Sequence, residues 1–104
     1  MEHTNPLEII VKNDYKKLEM AIHPNDGEEL NLYTTLHSLI FYAGQSLEKF
    51  QKGEDQLGEG QLHLLNECEN GTLLVSEYLL GRLQFCEKAM LIRDDKKIFI
   101  IYRD

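Results

Sequence analysis

The segment Ile98-Phe99-Ile100-Ile101-Tyr102 is apolar or aromatic at five consecutive positions, so an extended chain there needs cover on both of its faces. A run this short, rich in β-branched and aromatic residues, reads as a strand rather than a helix. Met90-Leu91-Ile92 precedes it, and the polar stretch Arg93-Asp94-Asp95-Lys96-Lys97 lies between, which predicts a β-hairpin over residues 90–102. The chain must therefore build a sheet whose inner strand is covered by other elements.

At the other end, Leu7-Glu8-Ile9-Ile10-Val11 is bounded by Pro6 and Asn13-Asp14 and reads as a second strand. Leu18, Met20 and Ile22 alternate with Glu19 and Ala21, the period of a strand over residues 17–22, with a short helix over 14–23 as the rival. Between these ends, Leu32, Leu36, Leu39, Ile40, Ala43, Leu47 and Phe50 recur at three- and four-residue steps and predict one long helix over residues 28–51. Asp26 is its expected N-cap, with Glu29 completing a capping box. Gly53 ends it, and Glu48 is spaced to pair with Lys52. Val75, Leu79, Leu83, Cys86 and Met90 form a stripe that favours a second helix over 72–90, although Glu69-Asn70-Gly71 would also suit a turn between two paired strands. Residues 54–71 are the least defined, because Gly58 and Gly60 weaken a helix there, and Gln61 to Cys68 reads equally as helix or strand.

The fold class expected is α+β: a small antiparallel sheet, made of the N-terminal strands and the C-terminal hairpin, packed against one long central helix and a second helix. Neither a linker nor an internal repeat is visible, so residues 1–104 are read as a single domain. With 42% hydrophobic and 28% charged residues, the composition is that of a folding chain rather than a disordered one.

The net charge of −7 opposes direct binding to nucleic acid or to an anionic membrane. No apolar run approaches a membrane span, and Met1 to Pro6 has none of the features of a signal peptide, so the expected location is cytoplasmic. The acids are unevenly placed. Eleven Asp or Glu fall between residues 18 and 81 against only Lys49 and Lys52, whereas residues 82–104 are mildly basic.

Chemistry-bearing motifs do not emerge from the spacing. Ser46 in Gly44-Gln45-Ser46 is not a nucleophile elbow, and Gly58-Glu59-Gly60 puts a carboxylate where a phosphate loop needs none. His37, His63, Cys68 and Cys86 are metal-ligating types without metal-ligand spacing. Cys68 and Cys86 read as buried free thiols. Accordingly no catalytic, cofactor-binding or metal-binding residue is assigned, no cofactor is expected, and a non-enzyme is favoured.

What the pattern offers is surface recognition. Glu54, Asp55, Glu59, Glu67, Glu69 and Glu77 stand between residues 53 and 81 without a single Lys or Arg, and Tyr33, His37 and Phe41 form an aromatic flank on the expected long helix. These nine residues are the expected partner-binding set. The expected function is that of an acidic interaction protein, such as a small inhibitor, immunity-type or regulatory factor, that binds the basic surface of another protein. Self-association as a homodimer through the spare flank of the helix is also expected. The alternative is a small-ligand binder or an enzyme whose site is assembled at a dimer interface.

Overall fold

The computed structural model describes residues 1–102; Arg103 and Asp104, counted above in the terminal stretch, lie outside the described residues. The order of elements is β1 (Glu2–His3), β2 (Leu7–Val11), β3 (Glu19–Ile22), α1 (Pro24–Glu28), β4 (Leu36–Gly44), α2 (Leu47–Gln51), β5 (Gln56–Leu64), β6 (Thr72–Val75), α3 (Glu77–Arg82), β7 (Lys88–Asp94) and β8 (Lys97–Tyr102). Seven strands pair in the order β7-β2-β6-β3-β5-β4-β8, and β8 pairs back onto β7, so the sheet closes into a barrel. β1 pairs with the part of β7 that β2 leaves free.

This barrel replaces the expected α+β arrangement of a sheet on one long helix. Residues 28–51 are not one helix. Asn31, with φ of 57°, lies just beyond the end of α1, the chain then runs as β4, and α2 is a separate short helix capped by Ser46, whose Oγ accepts from Lys49 N–H at 3.3 Å. The helical spacing arises because β4 is covered on both faces. Leu39, Phe41 and Ala43 point into the barrel, while Tyr42 lies outside against Phe50 of α2. A strand buried on both sides loses its alternation, and its apolar residues then fit a three-and-four spacing as well as any other.

The expected second helix over 72–90 divides into β6, α3 and β7 in the same way, with Ser76 turning the chain. Ser76 Oγ accepts from Leu79 N–H at 3.1 Å and donates to the Lys17 carbonyl at 2.6 Å. Nor are β5 and β6 a hairpin across Glu69-Asn70-Gly71, since β3 lies between them. The hairpin of β7 and β8 is present with Asp94 opposite Lys97, and β8 is internal as expected. Its neighbours are β7 and a parallel β4, not the N-terminal strands. β2 and β3 occupy their predicted positions, the Glu48–Lys52 pair spans 3.3 Å, and Gly53 stops α2 with φ of 78°.

The chain contains an internal duplication that the sequence does not display. Adding 53 to the residue numbers of β2, β3 and α1 gives those of the second half of β5, of β6 and of α3 up to Gly81. The parallel pairs Glu8 with Thr72 through Val11 with Val75 then become Gln61 with Glu19 through Leu64 with Ile22. Hydrogen bonds outside the ladders repeat too. Lys12 N–H to Val75 O matches Leu65 N–H to Ile22 O, Tyr15 N–H to Lys12 O matches Cys68 N–H to Leu65 O, and Leu32 N–H to Gly27 O matches Phe85 N–H to Leu80 O. Over residues 7–31 only Asn13/Asn66 and Leu30/Leu83 are identical pairs, which is why no repeat shows in the sequence. The axis relating the two halves passes beside the pair Ala21 and Leu74, and β8 completes the ring without a counterpart.

Candidate functional site

The strand directions separate the barrel into two ends. β5 is nine residues long and spans about 30 Å at ~3.3 Å per residue, so its start and finish lie far apart. At its finish are α1, the β5–β6 connection, residues 32–35 and the β7–β8 turn; at its start are α2 and α3.

At the α1 end two contacts fix the loops. Asp26, buried within α1, accepts from Gly71 N–H at 2.9 Å and ties the helix to the β5–β6 connection. It is not the N-cap expected from the sequence, a role taken by His23 through Nδ1 and Asn25 N–H at 3.0 Å. Arg93 points inward at the end of β7 and donates to the carbonyls of Leu30 at 3.0 Å, Asn31 at 3.3 Å and Asp95 at 2.9 Å, with Glu2 at 3.8 Å. One guanidinium thus joins α1, the hairpin turn and β1. Around this frame Glu28, Glu29, Glu67, Glu69, Asp94 and Asp95 are exposed, with Lys96 and Lys97 on the hairpin side. Tyr33 is 70% exposed and donates to Asn31 Oδ1 at 3.0 Å, and Leu36 is also exposed. Burial, then the nearby Arg93 charge, holds the His37 imidazole below its usual pKa, against the opposing effect of Thr34.

On the barrel wall, His63 Nε2 donates to Glu19 Oε2 at 2.7 Å, and the Tyr15 ring lies 5.9 Å from the His63 ring. Burial works to raise the Glu19 pKa, but the Lys16 N–H bond at 2.8 Å and the His63 bond and charge together lower it. Burial, followed by the charges of Cys68, Glu19, Asp14 and Glu67, pushes the Tyr15 hydroxyl up to about 12. Burial and then Glu67 push the Cys68 thiol up as well. An activated nucleophile needs its pKa lowered, so these shifts run opposite to what Cys68 or Tyr15 would need to attack a substrate. The cluster is built to pin the β2–β3 connection over the wall.

The α3 end holds a cavity of about 330 Å³ lined by Ala43, Gly44, Gln45, Ser46, Lys49, Asp55, Gly81, Arg82, Gln84 and Tyr102. Asp55 and Gln84 both have positive φ, 67° and 55°, an uncommon conformation for residues with side chains. A Cβ on Gly44 would meet Asp55 Oδ2 at 2.7 Å, so glycine is what lets this carboxylate lie over the backbone.

The structure distributes the nine predicted residues over four places. Glu67, Glu69, Tyr33 and His37 come together at the α1 end, and Glu54, Asp55 and Glu77 lie at the opposite end. Glu59 is exposed on the wall, while Phe41 is completely buried in the barrel and has no surface to offer. The aromatic flank that motivated a homodimer is therefore not one continuous surface: Tyr33 is exposed, His37 is partly buried and Phe41 is inside the barrel. Sequence reasoning misses Glu28, Glu29, Asp94 and Asp95, because their local pattern fits a helix start and a hairpin turn. Among the described residues no group of His, Cys, Asp and Glu is arranged to hold a metal, and no helix is long and apolar enough to cross a membrane. No family model, curated protein or solved structure matches the chain.

Proposed function

We propose that this chain is a non-enzymatic interaction protein that uses its α1 end to bind the basic surface of another protein. The observation that carries this reading is the convergence of six exposed carboxylates from three chain segments, Glu28 and Glu29, Glu67 and Glu69, Asp94 and Asp95, at one barrel end that also exposes Tyr33 and Leu36. Aromatic and aliphatic anchors inside a charged rim are the usual anatomy of a protein interface. Carboxylates facing Lys and Arg accelerate encounter and exclude wrong partners. The Asp26–Gly71 and Arg93 contacts hold the three segments in place before binding, which limits the entropy lost on association.

The test starts from a partner captured in the native host and purified. Binding kinetics are then measured at two ionic strengths for the unaltered chain and for Glu28→Lys/Glu67→Lys/Glu69→Lys. The reading expects an association rate lower by roughly tenfold or more and a shallower salt dependence, with little change in melting temperature. Equal association rates and salt slopes would remove this end from the interface.

A further inference from the structure

The two ends of the barrel are built on one plan, and among the inward positions of β4 and β7 one pair differs in charge. β2 pairs with β7 through Leu7 and Ala89, and β5 pairs with β4 through Gly60 and Leu39, so the halves are matched with Ala89 at Leu39, Leu91 at Phe41 and Arg93 at Ala43. Each inward position in one strand thus has an inward counterpart in the other. The match extends to the partners of that position. Glu2 pairs across from Arg93 in β1, and Asp55 lies across from Ala43, whose N–H donates to the Asp55 carbonyl at 3.2 Å. Asn31, which accepts from Arg93, corresponds to Gln84, and the bond from Asn31 N–H to Glu28 O recurs as Gln84 N–H to Gly81 O.

At the α1 end the position is filled by a guanidinium between the Glu2 carboxylate and the carbonyls of Leu30 and Asn31. At the α3 end Asp55 and Gln84, the counterparts of Glu2 and Asn31, both line the 330 Å³ cavity, with Ala43 in place of the arginine, while the Leu83 carbonyl that corresponds to Leu30 accepts from Cys86 N–H at 3.2 Å. The Asp55 carboxylate makes no hydrogen bond or ion pair among the described residues. Lys49 and Arg82 line the same cavity and form no ion pair with Asp55. A bare cation would meet repulsion from those two side chains, so the occupant must also carry an anionic group for them.

We infer that the α3-end cavity binds a small molecule bearing both a guanidinium and a carboxylate, of which free arginine is the representative. Its guanidinium takes the position that corresponds to the Arg93 guanidinium, against Asp55 and the Gln84 backbone, and its carboxylate faces Lys49 and Arg82. Asp55 suits the planar fork of a guanidinium, which presents several N–H donors to a carboxylate at once. The cavity volume lies within the range of small-molecule sites. This site does not depend on the α1-end surface proposed above.

Calorimetric titration of the full chain with L-arginine tests the inference, with citrulline and agmatine as comparators. Citrulline keeps the shape but replaces the guanidinium with a neutral urea, and agmatine keeps the guanidinium but lacks the carboxylate. Saturable arginine binding is expected, weakened by roughly tenfold or more for citrulline and for Asp55→Asn, and less severely for agmatine. Ala43→Arg, which supplies the guanidinium from within, should abolish arginine binding while the chain still melts cooperatively. Equal binding of arginine and citrulline, or no saturation by arginine at millimolar concentration, would overturn the inference. Arg103→Ala is the control for the arginine that follows Tyr102 in the chain: if only that variant responds to arginine, the position belongs to the chain itself and the external ligand is ruled out.

Discussion

The α1 and α3 ends of the barrel share a backbone plan, yet one is closed by Arg93 and the other is open at Ala43. The closed end is stabilised by a charged side chain making several hydrogen bonds, and its outer surface is left to exposed acids and Tyr33. The open end keeps unpaired charges and left-handed backbone at Asp55 and Gln84 around a polar cavity. Duplicated frameworks can thus assign packing to one copy and ligand chemistry to the other, because a single inward side chain decides whether the barrel mouth is plugged.

The largest effects should test whether the halves are equivalent in the core. Leu30 and Leu83 are counterparts and both are fully buried. Leu30→Ala and Leu83→Ala should each cost about 2 to 5 kcal/mol in a denaturant titration, within ~1 kcal/mol of each other. A much larger gap would mean that the shared plan stops at the backbone.

Next comes the position at which the ends differ. Arg93→Ala leaves three carbonyls without their donor and should destabilise by about 1 to 3 kcal/mol. A cost near zero would show that water replaces the guanidinium freely, and the closed end would then be no better built than the open one.

The helix caps sharpen the comparison further. Ser76→Ala removes a cap and the bond to Lys17 O, a loss of about 1 to 2 kcal/mol, whereas His23→Ala at the counterpart position removes one exposed bond and should cost about 0.5 kcal/mol. Thermal melts of the two variants side by side would reveal any reversal of that order.

The smallest effect concerns pH. Glu19 and His63 correspond to Thr72 and Ile10, so this hydrogen-bonded pair exists in only one half. Because the Glu19 pKa is lowered on folding, its stabilisation is complete above the ordinary carboxylate range and disappears as pH falls through the lowered value. Glu19→Gln should therefore flatten the acid side of the stability profile, and Thr72→Ser should leave that side unchanged. Chemical denaturation between pH 3 and 7 would settle which half carries the acid sensitivity.

Local sequence was sufficient wherever an element is specified by its own residues. The β7–β8 hairpin follows from two apolar runs about a polar turn, β2 and β3 from their bounding Pro and Asn-Asp and from alternation, and the stop at Gly53 from a residue that adopts positive φ without strain. The acidic character is likewise a property of composition.

Tertiary structure decided the rest, for reasons that lie in distant partners. Residues 39–43 are a strand because the barrel interior takes Leu39, Phe41 and Ala43 while α2 and β8 cover Tyr42, a double burial that erases the period a single covered face would imprint. Asp26 serves a backbone N–H 45 positions away rather than its own helix, so capping logic misassigned it. The acids between residues 53 and 81 form one block in sequence, yet β5 carries the chain across the barrel and sends them to opposite ends. The site expected from that block was therefore only partly legible: Glu67, Glu69, Tyr33 and His37 meet because β5 pairs with β3 on one side and β4 on the other, which brings α1, the β5–β6 connection and the start of β4 to the same rim. Those pairings join strands far apart in the chain, and no window of neighbouring residues contains them.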